Sequence, residues 1–162
     1  MIAAVVLAVA ALTLESADFP SGGAIPRPSM STDCGGSNFT PQLTWNGVPE
    51  KTKSFALIVR DPDAPVPGGF YHWVLYDIPR ETRQLDPNAL PAGTKIGKAS
   101  TGRAAYYGPC PPPGPAHHYV FTLYALDVPS VDADTPLTGE LLAQRIGNHA
   151  LAKATLEGTA SH

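Results

Sequence analysis

Short apolar segments separated by turns rich in proline and glycine are the pattern that most limits how this chain can fold. The sequence contains 18 prolines and 15 glycines among its 162 residues. The apolar segments are short and recur along the chain, at residues 12–14, 42–45, 54–60, 72–78 and 119–126. Short strands bounded by turn residues indicate an all-β sandwich or an open barrel.

The C-terminal region has a different character, because its composition is typical of helices. Residues 138–145 and 149–156 are both of this kind, and a Gly-Asn pair separates them. Thr138 is placed to cap the first helix. Its buried stripe would consist of Leu141, Leu142 and Ile146. We therefore predict a mainly β domain with one or two short C-terminal helices, and a long polar surface excursion over residues 80–102.

Composition and charge exclude several classes of protein. Charged residues make up 15% of the chain, the formal net charge is -3, and no basic run occurs. A nucleic-acid partner is therefore not expected. The hydrophobic fraction of 43%, concentrated in strand-like blocks, argues against a disordered chain. The length is that of one domain with a proper core.

The first dozen residues form an apolar run that is too short to span a bilayer, which takes about 20 residues. The run is similar to the apolar part of an export signal, with small residues at 8–10, but no Lys or Arg precedes it. The alternative is an N-terminal strand that joins the core. We favour a signal segment at 1–11, a single domain at 12–162, and a periplasmic or secreted protein without stable membrane insertion. A cytoplasmic location is the alternative.

Two cysteines, Cys34 and Cys110, lie 76 residues apart in loops rich in glycine or proline. This spacing does not suit a zinc site, whose ligands come in close pairs. One long-range disulfide would fit an exported protein. Two free thiols would fit a cytoplasmic one, so the disulfide and the location depend on each other.

Two segments, 54–79 and 106–127, each place histidine beside a proline-rich turn and an apolar strand. Because side chains alternate along a strand, His117 and Tyr119 share one face while His118 takes the other. By the same rule, His72 begins a strand in which three further residues share its face, namely Val74, Tyr76 and Ile78. We therefore expect His72, His117 and Tyr119 to surround one cavity.

Two imidazoles and a phenol make suitable hydrogen-bond donors for an anionic oxygen. The nearby carboxylates, Asp61 and Asp63, would repel an anion. They fit if one of them orients a histidine, or if the ligand is zwitterionic and brings a cationic end to them. Taken singly, each feature also has an ordinary structural explanation, since Asp and Pro residues form turns in many proteins.

Four sequence motifs resemble the signature regions of the phosphatidylethanolamine-binding protein family, most closely its bacterial branch described as Raf-kinase-inhibitor-like. They are DPDAP at 61–65, HWVLYDIP at 72–79, GPCPPPG at 108–114 and HHYVFTLYALD at 117–127. Weaker matches are DCGGSN at 33–38 and PQLTW at 41–45. The resemblance implies a Greek-key β-sandwich with a small surface cavity for phosphate-like anions and phosphorylated head groups.

The resemblance also assigns the cavity's residues. Asp61 matches the family's aspartate, His72 its first histidine, and His117 and Tyr119 the histidine and tyrosine of its second region. The cavity floor corresponds to Cys110, Pro111 and Pro112, and Asp63 matches a position near the cavity. This chain departs from the pattern at His118, where arginine is frequent, and at Ala105, where glycine is usual.

Three functions compete on this basis. The first is a non-catalytic binding protein for a small anionic or zwitterionic phosphorylated ligand, with no cofactor and no metal. The second is an inhibitor or interaction protein that acts on a protease or kinase through its surface. The third is an enzyme that uses Cys110 beside His117, or a metal held by His72, His117 and Asp61. We rank them in that order. For any of these functions the protein could be a monomer or a homodimer.

Overall fold

The computed structural model describes residues 10–162. The proposed signal segment at 1–11 therefore lies almost entirely outside the described residues. Within residues 10–162, no helix is both long enough and apolar enough to cross a membrane.

Strands dominate the described part of the chain, which confirms the mainly β prediction. Two 3-10 turns, Arg27–Ser29 and Thr32–Cys34, and one helix, α1 (Gly139–Ile146), accompany them. The strands are β1 (Thr13–Glu15), β2 (Gly23–Ala24), β3 (Leu43–Asn46), β4 (Ser54–Asp61), β5 (Phe70–Pro79), β6 (Gln84–Leu85), β7 (Lys95–Ile96), β8 (His117–Leu126) and β9 (Ala150–Ala160).

The strands form two sheets, of three and six strands. The smaller has the order β1-β3-β6 and the larger β2-β9-β8-β4-β5-β7. Pairing is antiparallel except between β2 and β9. The segment 80–102, which we predicted as a surface excursion, contributes the short strands β6 and β7.

Two apolar clusters cover the two faces of the larger sheet. The inner cluster joins both sheets and includes Trp45 of β3, Phe55 of β4 and Phe121 of β8. The outer cluster lies under α1 and includes Ile58 of β4 and Leu142 of the helix. Because both faces of β4 are covered, seven of its eight residues are buried, as expected for a continuously apolar strand.

Strand β8 alternates as predicted, whereas β5 does not. In β8, Tyr119 and Phe121 are buried while His118 is exposed. In β5, Val74 and Tyr76 belong to the outer cluster and Ile78 to the inner one, so the shared face that we predicted for His72, Val74, Tyr76 and Ile78 is wrong. The pairing of β4 with β5 shifts twice, and each shift leaves an extra residue in β5. A β-bulge of this kind turns the following side chains to the opposite face.

The C-terminal region contains one helix, which is within the one or two that we predicted. Thr138 Oγ1 accepts a hydrogen bond from Leu141 N at 3.3 Å, which confirms the predicted cap. Leu142 and Ile146 are buried, but Leu141 is 49% exposed and does not belong to the buried stripe. The helical interpretation of residues 149–156 is wrong, because residues 150–156 belong to β9, which pairs with β8. Tertiary pairing here outweighs the helix propensity of Ala, Leu and Lys.

Candidate anion-binding site

A cavity of about 830 Å³ lies where β4 ends and where β5 and β8 begin. Because β4 lies between β5 and β8 and is antiparallel to both, the last residue of β4 meets the first residues of its two neighbours. This arrangement brings together three segments that are distant in the sequence. The predicted residues that line the cavity are Asp61, His72, Cys110, Pro111, Pro112, His117 and Tyr119.

Asp61 is buried at the end of β4 and uses both of its carboxylate oxygens. Oδ1 accepts hydrogen bonds from the backbone N–H groups of Asp63, at 2.8 Å, and Ala64, at 3.0 Å. Oδ2 lies 2.7 Å from Nδ1 of His117. The Asp-Pro-Asp-Ala-Pro turn therefore holds the carboxylate in place, and the carboxylate holds the imidazole.

His117 is oriented by this contact. A carboxylate accepts hydrogen bonds, so Nδ1 of His117 carries the proton that it donates to Asp61. Nε2 is then the nitrogen of His117 that remains available on the cavity side. It accepts a hydrogen bond while the ring is neutral and donates one once the ring is protonated.

His72 is held in the same way by a different partner. Its Nδ1 lies 2.6 Å from the carbonyl oxygen of Tyr107, and a carbonyl can only accept, so Nδ1 again carries the proton. His72 is the extra residue of the first bulge in β5, where Arg60 pairs with Tyr71 and Val59 with Trp73. Burial lowers the pKa of His72 below its ordinary value, which favours the neutral ring with an unprotonated Nε2.

Tyr119 contributes a buried hydroxyl at the cavity. Its side chain is 1% exposed, and its ring packs edge-on against His72 with centroids 5.0 Å apart. The hydroxyl has no hydrogen-bond partner among the described residues. Burial raises the pKa of Tyr119, so the phenol stays protonated. An unpaired buried hydroxyl beside His72, in a cavity that His117 also lines, is able to donate to an oxygen of a ligand.

The disulfide predicted between Cys34 and Cys110 is present, with the two Cα atoms 5.4 Å apart. It joins the 3-10 turn at Thr32–Cys34 to the proline-rich segment that carries Pro111 and Pro112. Asn38 fastens the same region, because its Nδ2 donates to Tyr106 O at 3.1 Å and its Oδ1 accepts from Gly108 N at 2.7 Å. The part of the cavity wall that these loop segments form is thus fixed by a disulfide and by hydrogen bonds.

Asp63 is not among the residues that line the cavity. Its Oδ2 accepts hydrogen bonds from the backbone N–H of His118 at 2.8 Å and from Nδ1 of the same residue at 2.6 Å. This contact raises the pKa of His118 and lowers that of Asp63. The two residues form an exposed pair beside the cavity, so the structure separates Asp63 from the other predicted site residues.

Several residues that line the cavity were not predicted from the sequence, among them Asp33, Phe70, Arg103 and Tyr107. Asp33 lies within the weaker DCGGSN match, which was a usable signal. Phe70 precedes His72 by two residues, and the centroids of their rings are 4.8 Å apart. Nothing in the local sequence marks Arg103, which reaches the cavity from a separate loop.

The metal alternative needs three ligands that face one point. The described residues contain no group of three or more His, Cys, Asp or Glu side chains arranged to hold a metal ion. Asp61 and His117 instead use their facing atoms on each other, which leaves no shared position for an ion between them.

Similarity to known proteins covers almost the whole chain. YbhB of Escherichia coli K12, described as a UPF0098 protein, is 35% identical over 153 residues, which are 90% of this chain and 97% of YbhB. LppC of Mycobacterium tuberculosis H37Rv, named as a lipoprotein, is 40% identical over 149 residues, which are 91% of this chain and 71% of LppC.

Solved structures give the same result. The crystal structure of E. coli YbcL, described as a new member of the mammalian PEBP family, has a TM-score of 0.89 and 32% identity, and the match covers 94% of this chain and 99% of YbcL. An inhibitor of carboxypeptidase Y, solved with its cognate proteinase, has a TM-score of 0.55 and 25% identity, with 93% and 82% of the two chains covered. The family model described as phosphatidylethanolamine-binding protein matches residues 15–161. This chain belongs to the phosphatidylethanolamine-binding protein family.

Proposed function

We propose that this protein binds a small phosphate-bearing or phosphate-like anion in the cavity between His72 and His117, without turning it over. The observation that carries the proposal is the buried hydroxyl of Tyr119, which has no partner within residues 10–162. A buried polar group without a partner is costly, and a ligand oxygen would remove that cost. Nε2 of each histidine adds a second and a third contact point beside it.

The protonation of the histidines sets how an anion would be held. Both Nδ1 atoms already donate, to Tyr107 O and to Asp61 Oδ2. A neutral ring can only accept a hydrogen bond from a P–OH group, whereas a protonated ring donates a charge-assisted hydrogen bond to P–O⁻. Affinity for a phosphate-bearing ligand should therefore be higher when the rings are protonated than when they are neutral.

Binding without turnover agrees with the state of the candidate nucleophile. The enzyme alternative used a Cys110 thiolate activated by His117, but Cys110 is in a disulfide with Cys34. A disulfide sulfur cannot act as the nucleophilic thiolate. The His117–Asp61 pair instead works as a fixed anion contact.

Calorimetric titration with phosphorylethanolamine tests the proposal, with two adjacent histidines as a matched pair. His117→Ala should weaken binding by about 1.5–3 kcal/mol, the usual contribution of a hydrogen bond to a charged group. His118→Ala should have little effect, because His118 pairs with Asp63 outside the cavity. Equal losses in the two variants would contradict the assignment, and release of free phosphate during the titration would establish an enzyme.

We also propose that the protein functions outside the cytoplasm, in the periplasm or secreted. The Cys34–Cys110 disulfide supports this location, since such bonds persist in oxidising compartments. The relative LppC is named as a lipoprotein. Fractionation of the native host, with detection of the processed chain in the periplasm or medium, tests this proposal.

Inhibition of a protease is the second candidate function, because one structural relative is an inhibitor solved with its cognate proteinase. Such an activity would use the surface rather than the cavity. It should therefore be retained in His117→Ala, whereas anion binding is lost. Residual carboxypeptidase activity, measured at increasing concentrations of both proteins, distinguishes the two functions.

A further inference from the structure

The cavity wall also carries two residues of opposite charge besides the histidines and Asp61. Asp33 and Arg103 both line the cavity. Among the described residues no ion pair joins them, so the guanidinium nitrogens of Arg103 lie more than 4 Å from the carboxylate oxygens of Asp33. The anion site described above uses neither residue. A carboxylate and a guanidinium that share a cavity without pairing with each other are free to contact a ligand that carries both charges.

Asp33 is positioned relative to His72 through Tyr107. The rings of His72 and Tyr107 are stacked, with centroids 5.9 Å apart, and the Tyr107 hydroxyl donates to Oδ2 of Asp33 at 2.9 Å. The carboxylate thus lies about one tyrosine side chain from the histidine. Its Oδ1 remains available to accept from an ammonium group.

Arg103 lies in a loop whose backbone is held by hydrogen bonds. Ala99 N donates to Arg103 O at 2.9 Å, and Ser100 N donates to Tyr71 O at 2.8 Å. Tyr71 N in turn donates to Ser100 Oγ at 2.9 Å, so the loop is tied to the start of β5. Within residues 10–162 the Arg103 guanidinium has no salt bridge or hydrogen bond. Its planar donors match a carboxylate in a bidentate arrangement.

The size of the cavity also indicates a ligand longer than phosphate. A volume of about 830 Å³ is that of a site for a whole small molecule. A phosphate held by His72, His117 and Tyr119 would fill only part of this space, and Asp33 and Arg103 line the same cavity.

We propose that the cavity selects phosphorylated ligands whose other end carries an ammonium and a carboxylate group together, as in O-phosphoserine. The phosphate lies between the histidines, the carboxylate contacts Arg103, and the ammonium contacts Asp33. This inference rests on the proposed anion site and names its ligand class. The same chemistry occurs in the free phosphomonoester and in the serine head group of a phospholipid, which is a phosphodiester.

Calorimetric titration with four probes tests the inference: inorganic phosphate, phosphorylethanolamine, O-phosphoserine and glycerophosphoserine. In the wild type, O-phosphoserine should bind about fivefold to tenfold more tightly than phosphorylethanolamine, which lacks the carboxylate. Arg103→Gln should abolish that difference and leave phosphorylethanolamine within about twofold of its wild-type affinity. Arg80→Gln is the control, since Arg80 is an exposed residue just beyond the opposite end of β5.

The possible outcomes distinguish failure of the anion site from failure of the proposed ligand class. Failure of inorganic phosphate and phosphorylethanolamine to bind would overturn the anion site itself. Equal wild-type affinities for phosphorylethanolamine and O-phosphoserine, or equal losses of both ligands in Arg103→Gln, would overturn only the inference about ligand class. Tighter binding of glycerophosphoserine than of O-phosphoserine, if lost in Arg103→Gln, supports the inference and identifies the lipid head group as the source.

Discussion

Nδ1 of His117 lies 2.7 Å from Oδ2 of Asp61, and the other oxygen of that carboxylate accepts two backbone hydrogen bonds from the turn that follows. One buried carboxylate therefore joins the end of β4 to the start of β8. It also decides which nitrogen of His117 is left for the cavity. The chemistry of the site depends on this contact.

Replacing Asp61 by Asn should reverse the tautomer of His117. The amide oxygen would keep the two backbone hydrogen bonds, and the amide N–H₂ group would face Nδ1, which must then accept. The neutral ring would carry its proton on Nε2. Nitrogen-15 chemical shifts of the imidazole distinguish the tautomers. Asp63→Asn is the control, because Asp63 contacts His118 and should leave His117 unchanged.

Replacing Tyr119 by Phe should affect ligand binding and stability in opposite directions. The variant loses a donor to the anion, so affinity for phosphorylethanolamine should fall. The free protein no longer buries an unpaired hydroxyl, so its free energy of unfolding should stay equal or rise by about 1 kcal/mol. Urea denaturation and calorimetry measure the two effects. A clear loss of stability would mean that the hydroxyl already has a partner in the free protein.

His72 and His118 should titrate on opposite sides of the ordinary histidine pKa, which is about 6.5. Burial lowers the pKa of His72, and the hydrogen bond to Asp63 raises that of His118. Proton NMR of the imidazole C–H signals over pH 4 to 9 measures both. A His72 midpoint above that of His118 would contradict the assignment.

The lowered pKa of His72 also predicts the sign of a stability change. Below about pH 6.5 the unfolded chain binds the His72 proton more readily than the folded protein does. The contribution of His72 is therefore fully present above that pH and is lost as pH falls towards the folded-state pKa. Urea unfolding of the wild type and of His72→Gln at several pH values measures this effect. Between pH 5 and 7 the free energy of unfolding should change less steeply with pH in the variant than in the wild type.

Reduction of the Cys34–Cys110 disulfide should destabilise the protein and weaken binding together. The disulfide joins residues 76 positions apart. A disulfide typically contributes roughly 2–4 kcal/mol to stability. Cys110 also lines the cavity, so a loosened wall should lower the affinity for phosphorylethanolamine. Urea unfolding with and without reductant measures the loss. The double variant Cys34→Ala, Cys110→Ala should be insensitive to reductant.

Seven of the eight candidate site residues line one cavity, because most of them lie in two local sequence motifs. Alternation along a strand placed His117 and Tyr119 on one face, and β8 has that arrangement. Two features of the site do not follow from local sequence. The bulge at His72 depends on how β5 pairs with β4, and Arg103 reaches the cavity from a loop with no marking motif.

The sequence by itself determined the mainly β character, the cap at Thr138 and the shared face of His117 and Tyr119, because turns, caps and strand alternation depend on neighbouring residues. The tertiary structure alone decided that residues 150–160 form a strand, that Asp63 pairs with His118, and that Asp33 and Arg103 share the cavity. These features depend on hydrogen bonds and contacts between segments far apart in the chain, which no local pattern specifies.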